Sequence, residues 1–253
     1  ELAEILAAVA DAAVEVQASF LRKKKRLPKL TPEARHDLNT STTTLAKSLL
    51  WTSKLLSVKA PELYVLDEVP GDLSAAPSDT PSALVSKSLA RGLSLAQLAF
   101  LWGRHLTLFR SEHYVAVLYP SVDELVTLVY AALVAGECPA YGEQAASSEV
   151  RKLARELRKK LHPGSYARLA AACAAFSPGR LEERVCSWLR AVELTRGRAG
   201  LLACGDVAVA LELVRRHPVV GQTPQEDQVS DLLWFSVSDE YAKLRGRLGV
   251  AIA

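Results

Sequence analysis

Residues 94–109 read Ser-Leu-Ala-Gln-Leu-Ala-Phe-Leu-Trp-Gly-Arg-His-Leu-Thr-Leu-Phe. Ser94 with Gln97 three residues on is a capping box, in which the hydroxyl accepts from the N3 amide and the carboxamide reaches back to the cap amide. The pattern predicts a helix from Leu95 to about Phe109. Gly103 is anomalous inside it, because glycine costs ~1 kcal/mol relative to alanine in a helix interior. A glycine there needs a packing reason, so a neighbouring element is expected to pass close at this point. Upstream, Leu63-Tyr64-Val65-Leu66 and Ala83-Leu84-Val85-Ser86 are short β-type runs. They flank a loop of turn formers, Pro70-Gly71-Asp72 through Pro77-Ser78-Asp79-Thr80-Pro81, and predict a small sheet.

Outward from this centre the chain reads as helix. Residues 1–26 carry Leu2, Ile5, Leu6, Val9, Ala13, Val16 and Phe20 at spacings of three and four. After Leu27-Pro28-Lys29-Leu30, Thr31 as cap and Pro32 at the first position predict a second helix to about Val58, with Leu38, Leu45, Leu49 and Leu56 inward. The two should form an antiparallel hairpin. Ser121 with Glu124 opens another helix through Leu133. Helical segments are predicted near 144–161, 165–176, 179–196, 206–216 and 224–248. They are punctuated by Pro163-Gly164, Pro178-Gly179, Gly197, Gly205 and Pro218, and Thr223-Pro224-Gln225-Glu226 opens the last. The expected class is mainly α (α+β): an N-terminal helical hairpin at 1–58, a small sheet with a central helix at 59–140, and a C-terminal helical layer at 141–253 packed as one unit with the rest.

Composition sets bounds on function. A chain of 253 residues is long enough for a sizeable core. With 49% hydrophobic and 23% charged residues it fits a soluble globular protein and not a disordered one. A net charge of +3 is too small to imply nucleic acid by itself. No run of ~20 uncharged apolar residues exists, so no membrane span is expected. Glu1, Glu4 and Asp11 interrupt the first apolar stretch, which is therefore not a secretory signal. Cys138, Cys173, Cys186 and Cys204 form no CxxC pair and read as reduced, packed thiols, which suggests a cytoplasmic location. A start at Glu1 and the absence of methionine suggest a piece of a larger protein.

The stretch Pro61–His113 resembles the HtpX-like zinc metallopeptidases, the gluzincin family with the signature HExxH. Leu63–Asp67 is similar to that family's strand after its first helices. Leu73-Ser74-Ala75-Ala76 occupies the place of its edge segment, Ala83–Ser86 with Leu89 that of its second strand, and Leu93–Leu101 the approach to its zinc-binding helix. In the signature, two histidines at i and i+4 share one helix face and ligate zinc while the glutamate activates the bound water. The corresponding positions here are Gly103-Arg104-His105-Leu106-Thr107. Glycine and an aliphatic hydroxyl are not normal zinc ligands, and arginine stays protonated and cannot act as a base. None of Glu124, Glu137, Glu143 or Glu149 aligns with the family's third ligand.

The resemblance therefore implies a degenerate member without catalytic residues, metal ligands or cofactor. It would act as a scaffold or protein-interaction module whose partner is another protein or other domains of the same polypeptide, not nucleic acid. The alternative is a metal-dependent hydrolase with a site displaced to His105, Glu112 and His113. On an unbroken helix the Cα atoms of His105 and His113 would lie ~12 Å apart, so that site needs a bend near Arg110-Ser111. Otherwise His105 is expected at a helix surface or core edge, hydrogen-bonded to a neighbour, and His113 in a helix's C-terminal turn. His36, His162 and His217 are isolated, and Trp51, Trp102, Trp188 and Trp234 are expected in the core. Arg22-Lys23-Lys24-Lys25-Arg26 reads first as a solvated helix end that complements the macrodipole, with a binder of nucleic acid or anionic lipid as the other reading. The group Arg151, Lys152, Arg155, Arg158, Lys159 and Lys160, interspersed with Glu149 and Glu156, reads as an exposed helix face.

Overall fold

The computed structural model describes residues 1–78, 80–89, 91–142, 146–217 and 223–249. Among these the fold is mainly α with one small mixed sheet, as the sequence implies. The chain divides into two compact units that interleave along it. The first holds 1–27, 77–79 and 111–189, and the second 28–76, 80–110 and 190–253. These limits do not follow the consecutive division at 58 and 140.

The first unit is built around α1 (Leu2–Lys23), which packs against α4 (Ser111–Leu118), α5 (Val122–Ala135), α6 (Ser148–Lys160) and α7 (Pro163–Ala174). Its buried face is rich in alanine, with Ala8, Ala10, Ala12, Ala13 and Ala18 beside Ile5, Leu6 and Val9. Small side chains let several helices approach one axis. Polar clasps join α1 to the end of α4: Tyr119 Oη donates to the Ala13 carbonyl (3.2 Å) and Gln17 Nε2 to that of Leu118 (3.0 Å). The predicted apolar stripe fades toward the C-terminus, where Phe20 is 46% exposed.

The second unit holds the sheet, in the order β1-β2-β4-β3. Strand β2 (Glu62–Leu66) pairs in parallel with β4 (Ser82–Ser86), with Leu63 opposite Ala83 and Val65 opposite Val85. Strand β3 (Leu73–Ala76) is an antiparallel edge on β4, and β1 (Arg35–His36) an antiparallel edge on β2. Helix α3 (Leu95–Leu106) packs against α2 (Thr44–Leu55) and α9 (Val207–Arg216), with α10 (Gln225–Ser236) and α11 (Asp239–Arg247) beyond. Leu49, Leu63, Phe100, Trp102, Leu106, Leu213 and Val214 form the centre of this core. Helix α8 (Leu181–Cys204) contributes its first part to the first unit and its second part to the second.

Several expectations are corrected. The second helix does not begin at Thr31 and run unbroken to Val58. Thr31-Pro32 opens only a 3-10 turn (Pro32–Ala34) with no side-chain cap bond, and Arg35–His36 then pair with β2. The Asp37 carboxylate takes the Asn39 amide and the Thr40 hydroxyl, both at 2.9 Å, a local turn that competes with helix. Helix α2 begins at Thr44, where the Thr43 hydroxyl accepts from the Ala46 amide. The segment 224–248 is two helices, because the Ser238 hydroxyl caps α11 by accepting from the Tyr241 amide. Thr223 does not cap α10; its hydroxyl has no hydrogen-bond partner. Gly197 does not end α8, which continues to Cys204, and a Cβ there would meet the Leu232 side chain only at ordinary contact distance (3.4 Å). Trp102 and Trp188 are core residues, but Trp51 and Trp234 are 43% and 75% exposed.

Candidate functional site

The site the sequence singles out lies on α3. Its capping box is formed, with Ser94 Oγ accepting from the Gln97 amide and Gln97 Oε1 from the Ser94 amide. From this start the helix drives nine consecutive residues, Leu98 to Leu106, into the interior. Trp102 locks α3 onto α2 by donating its indole N–H to the Leu45 carbonyl and the Ser48 hydroxyl, each at 3.2 Å.

Gly103 meets α8. A Cβ placed there would stand 2.6 Å from the Ala199 carbonyl oxygen and 2.8 Å from Gly200 Cα. The contact is reciprocal, for a Cβ on Gly200 would stand 2.8 Å from the Phe100 carbonyl oxygen and the same distance from its ring. Two helix backbones therefore touch through two glycines, which is the packing reason that Gly103 requires. A longer side chain at 103 would have to displace backbone.

Arg104 is buried at the same crossing, 5% exposed. Its guanidinium donates to the His217 carbonyl (2.8 Å) and to Gln228 Oε1 (3.0 Å). Gln228 in turn donates to the Thr223 carbonyl, and the Thr223 amide to the Glu193 carboxylate (2.8 Å). The Arg104 carbonyl accepts from Arg196 Nε (3.2 Å) and the Thr107 hydroxyl (3.0 Å). Burial, then the like charge of Arg196, pulls the Arg104 guanidinium down to about 9, while Glu193 opposes the shift. Burial likewise pulls Arg196 down to about 10. Both stay cationic at neutral pH, held by two carbonyls and the Gln228 carboxamide and favoured by the charge of Glu193.

His105 is not at a surface or core edge and does not have the neighbour expected for it. It is 2% exposed, and its Nε2 has no hydrogen-bond partner. The ring sits between Trp102 (centroids 6.1 Å apart) and Phe109 (5.2 Å, edge-on). Burial, and secondarily the charge of Arg196, pushes its pKa down to about 3, so the imidazole is neutral. Helix α3 stops at Leu106, a 3-10 turn covers Thr107–Phe109, and α4 starts at Ser111. The bend near Arg110-Ser111 is therefore present. It places Glu112 and His113 in the first turn of α4, not a C-terminal turn, and in the first unit, whereas His105 lies in the second. The His113 ring packs edge-on against Trp188. Among the described residues no group of three or more His, Cys, Asp or Glu is placed to hold a metal ion.

Compared with known proteins, the chain matches no family model, no curated protein and no solved structure.

The other candidates have structural roles. Glu124 completes the Ser121 capping box, Glu137 pairs with Arg158 at 3.4 Å, Glu149 lies in the first turn of α6, and Glu143 falls outside the described residues. His36 bonds to the Ser41 and Thr43 hydroxyls. His162 precedes α7 as its cap residue, and His217 caps the end of α9. All four thiols are free; Cys138 donates to the Cys173 carbonyl, and burial pushes the Cys173 thiol up to about 12 and Cys204 up to about 11. Sequence reasoning missed Glu193, Arg196 and Gln228. One signal was available: Gly200 inside a helix marks a close approach just as Gly103 does.

Proposed function

We propose that this chain is a catalytically inactive, HtpX-like metallopeptidase-like module that serves as a scaffold or protein-interaction element of a larger cytoplasmic protein. The observation that carries this reading is the contact of Gly103 with the Ala199–Gly200 backbone of α8. A zinc-binding helix must present imidazoles to an open space that admits water and substrate. Here the backbone of another helix fills the first ligand position. The second, Thr107, spends its hydroxyl on the Arg104 carbonyl. Between them stands a buried cation whose donors are directed to a carbonyl and a carboxamide. The order of β2, the edge strand β3, β4 and α3 fits the resemblance. Four free thiols fit a reducing compartment, and among the described residues no helix is long and apolar enough to cross a membrane.

The triple variant Gly103→His, Arg104→Glu, Thr107→His tests the reading. The expected outcome is a destabilised protein without turnover of casein, because an imidazole at position 103 would drive α8 off α3 before any site formed. Zinc-dependent, chelator-sensitive cleavage by this variant would show that the cleft and a third ligand survive, and the scaffold reading would be abandoned.

A further inference from the structure

The dense basic run of the sequence is not a solitary helix end. Lys23, Lys24, Lys25 and Arg26 are all exposed where α1 terminates. The terminus is closed by two backbone bonds, Arg26 N to the Leu21 carbonyl (2.9 Å) and Lys25 N to the Arg22 carbonyl (3.0 Å). In this Schellman arrangement Lys25 takes φ +55°, the left-handed position at which glycine is favoured. A cation therefore stands where the backbone favours glycine, and the run is held in a fixed turn.

Helix α6 packs beside α1 in the same unit. Lys160 pairs with Glu15, and the Glu156 carboxylate lies in the fields of Lys159, Lys152 and Lys23. Moving back along α6 thus moves forward along α1, so the helices run antiparallel. Lys152, Arg155 and Lys159 fall three and four residues apart on one exposed stripe of α6. The stripe borders the basic end of α1. Phe20, 46% exposed, projects from this end with the Lys24 ammonium 6.0 Å from its ring centroid. Complementing the macrodipole explains cations in the last turn of α1, but not a second basic stripe from another helix or an exposed ring among them.

We propose that the first unit carries a docking surface for the anionic phospholipid headgroups of a bilayer, formed by the C-terminal end of α1 and the exposed stripe of α6. Charge complementarity requires an anionic occupant. Phe20 selects a lipid surface, because one ring can enter the headgroup layer while long cationic side chains spread to the phosphates around it. A nucleic-acid site would instead stack successive bases on several aromatic rings, whereas α1 and α6 together contain one aromatic residue, Phe20.

Co-sedimentation with phosphatidylcholine vesicles containing about 30% phosphatidylserine, against pure phosphatidylcholine, tests the surface, each basic residue near such a membrane contributing about fivefold to partitioning. Retention is expected on the anionic vesicles and should fall as salt shortens the screening length. Lys23→Gln/Lys24→Gln and Lys152→Gln/Arg155→Gln should each lower partitioning at least tenfold while the melting temperature falls by only a few degrees, since all four side chains are exposed and only the favourable charge at the end of α1 is lost. Phe20→Ser should lower it roughly threefold or more with the salt dependence retained. Equal retention on both vesicle types, unchanged retention of both charge variants, or displacement from the vesicles by a stoichiometric duplex oligonucleotide would overturn the proposal.

Discussion

The two units bury their central helices by opposite means. Helix α1 presents alanine and aliphatic side chains to its neighbours, and its charges lie at exposed positions. Helix α3 carries a glycine, a guanidinium and an imidazole into the interior within three consecutive residues. An alanine-lined face tolerates adjustment, because side chains can shift against it. The α3–α8 crossing cannot adjust in the same way, since backbone meets backbone and the buried Arg104 guanidinium depends on the His217 carbonyl at the end of α9 and on Gln228 of α10. The second unit should therefore respond far more sharply to substitution at its central helix.

Gly103→Ala is expected to cost ~3 kcal/mol or more in urea unfolding, because even its Cβ must displace the α8 backbone. Gly136→Ala makes the matched test in the first unit: its Cβ would meet the Cys173 thiol at 2.5 Å and Leu169 Cγ at 2.8 Å, both side-chain atoms. These belong to side chains and not to backbone, though both residues are fully buried, so the cost should be smaller, ~1–2 kcal/mol. Equal losses would erase the contrast between the units. Arg104→Met should cost ~2–4 kcal/mol, since it strips a donor from the His217 carbonyl and the Gln228 carboxamide inside the core. Adding Gln228→Leu should recover part of that loss, with a coupling of ~1 kcal/mol. Strict additivity would show that the two side chains act independently.

His105 gives the second unit a pH dependence. Its pKa is about 3 in the folded state against an ordinary 6.5, so the unfolded chain binds a proton that the folded one excludes. Its contribution is intact above pH 6.5 and declines as pH falls toward 3. Between those limits the slope approaches ~1.4 kcal/mol per pH unit, or roughly 2–3 kcal/mol lost by about pH 4.5. His105→Phe should remove this component and leave stability at neutral pH within ~1 kcal/mol, since it also removes an orphaned ring nitrogen. A variant whose acid sensitivity matches the parent would show that His105 is not excluded from protonation in the folded state.

What the sequence disclosed follows from the range of the interactions. Capping boxes at Ser94 and Ser121, the strands at Leu63 and Ala83, and the need for a neighbour at Gly103 are local signals, and each is met in the structure. The misplaced helix start arose where a local signal, Thr31-Pro32, lost to pairing of Arg35 and His36 with a strand nearly thirty residues away. Periodicity placed Trp234 inward, yet it is exposed. At the α3 crossing, the sequence places His105 at a surface or core edge, and nothing local points to the burial of Arg104. The surroundings of Arg104 are set by Glu193, Arg196 and Gln228, all more than eighty residues downstream, and no local pattern links them.

The backbone of α8 covers α3 at Gly103, the first ligand position under the proposed reading. Elemental analysis of the purified, unaltered protein after zinc loading and dialysis tests this closure most directly. With Gly103 against backbone and Thr107 bonded to the Arg104 carbonyl, zinc should remain far below stoichiometry. A retained content of about one zinc per chain would contradict it, since a structural or catalytic site needs three or four convergent protein ligands.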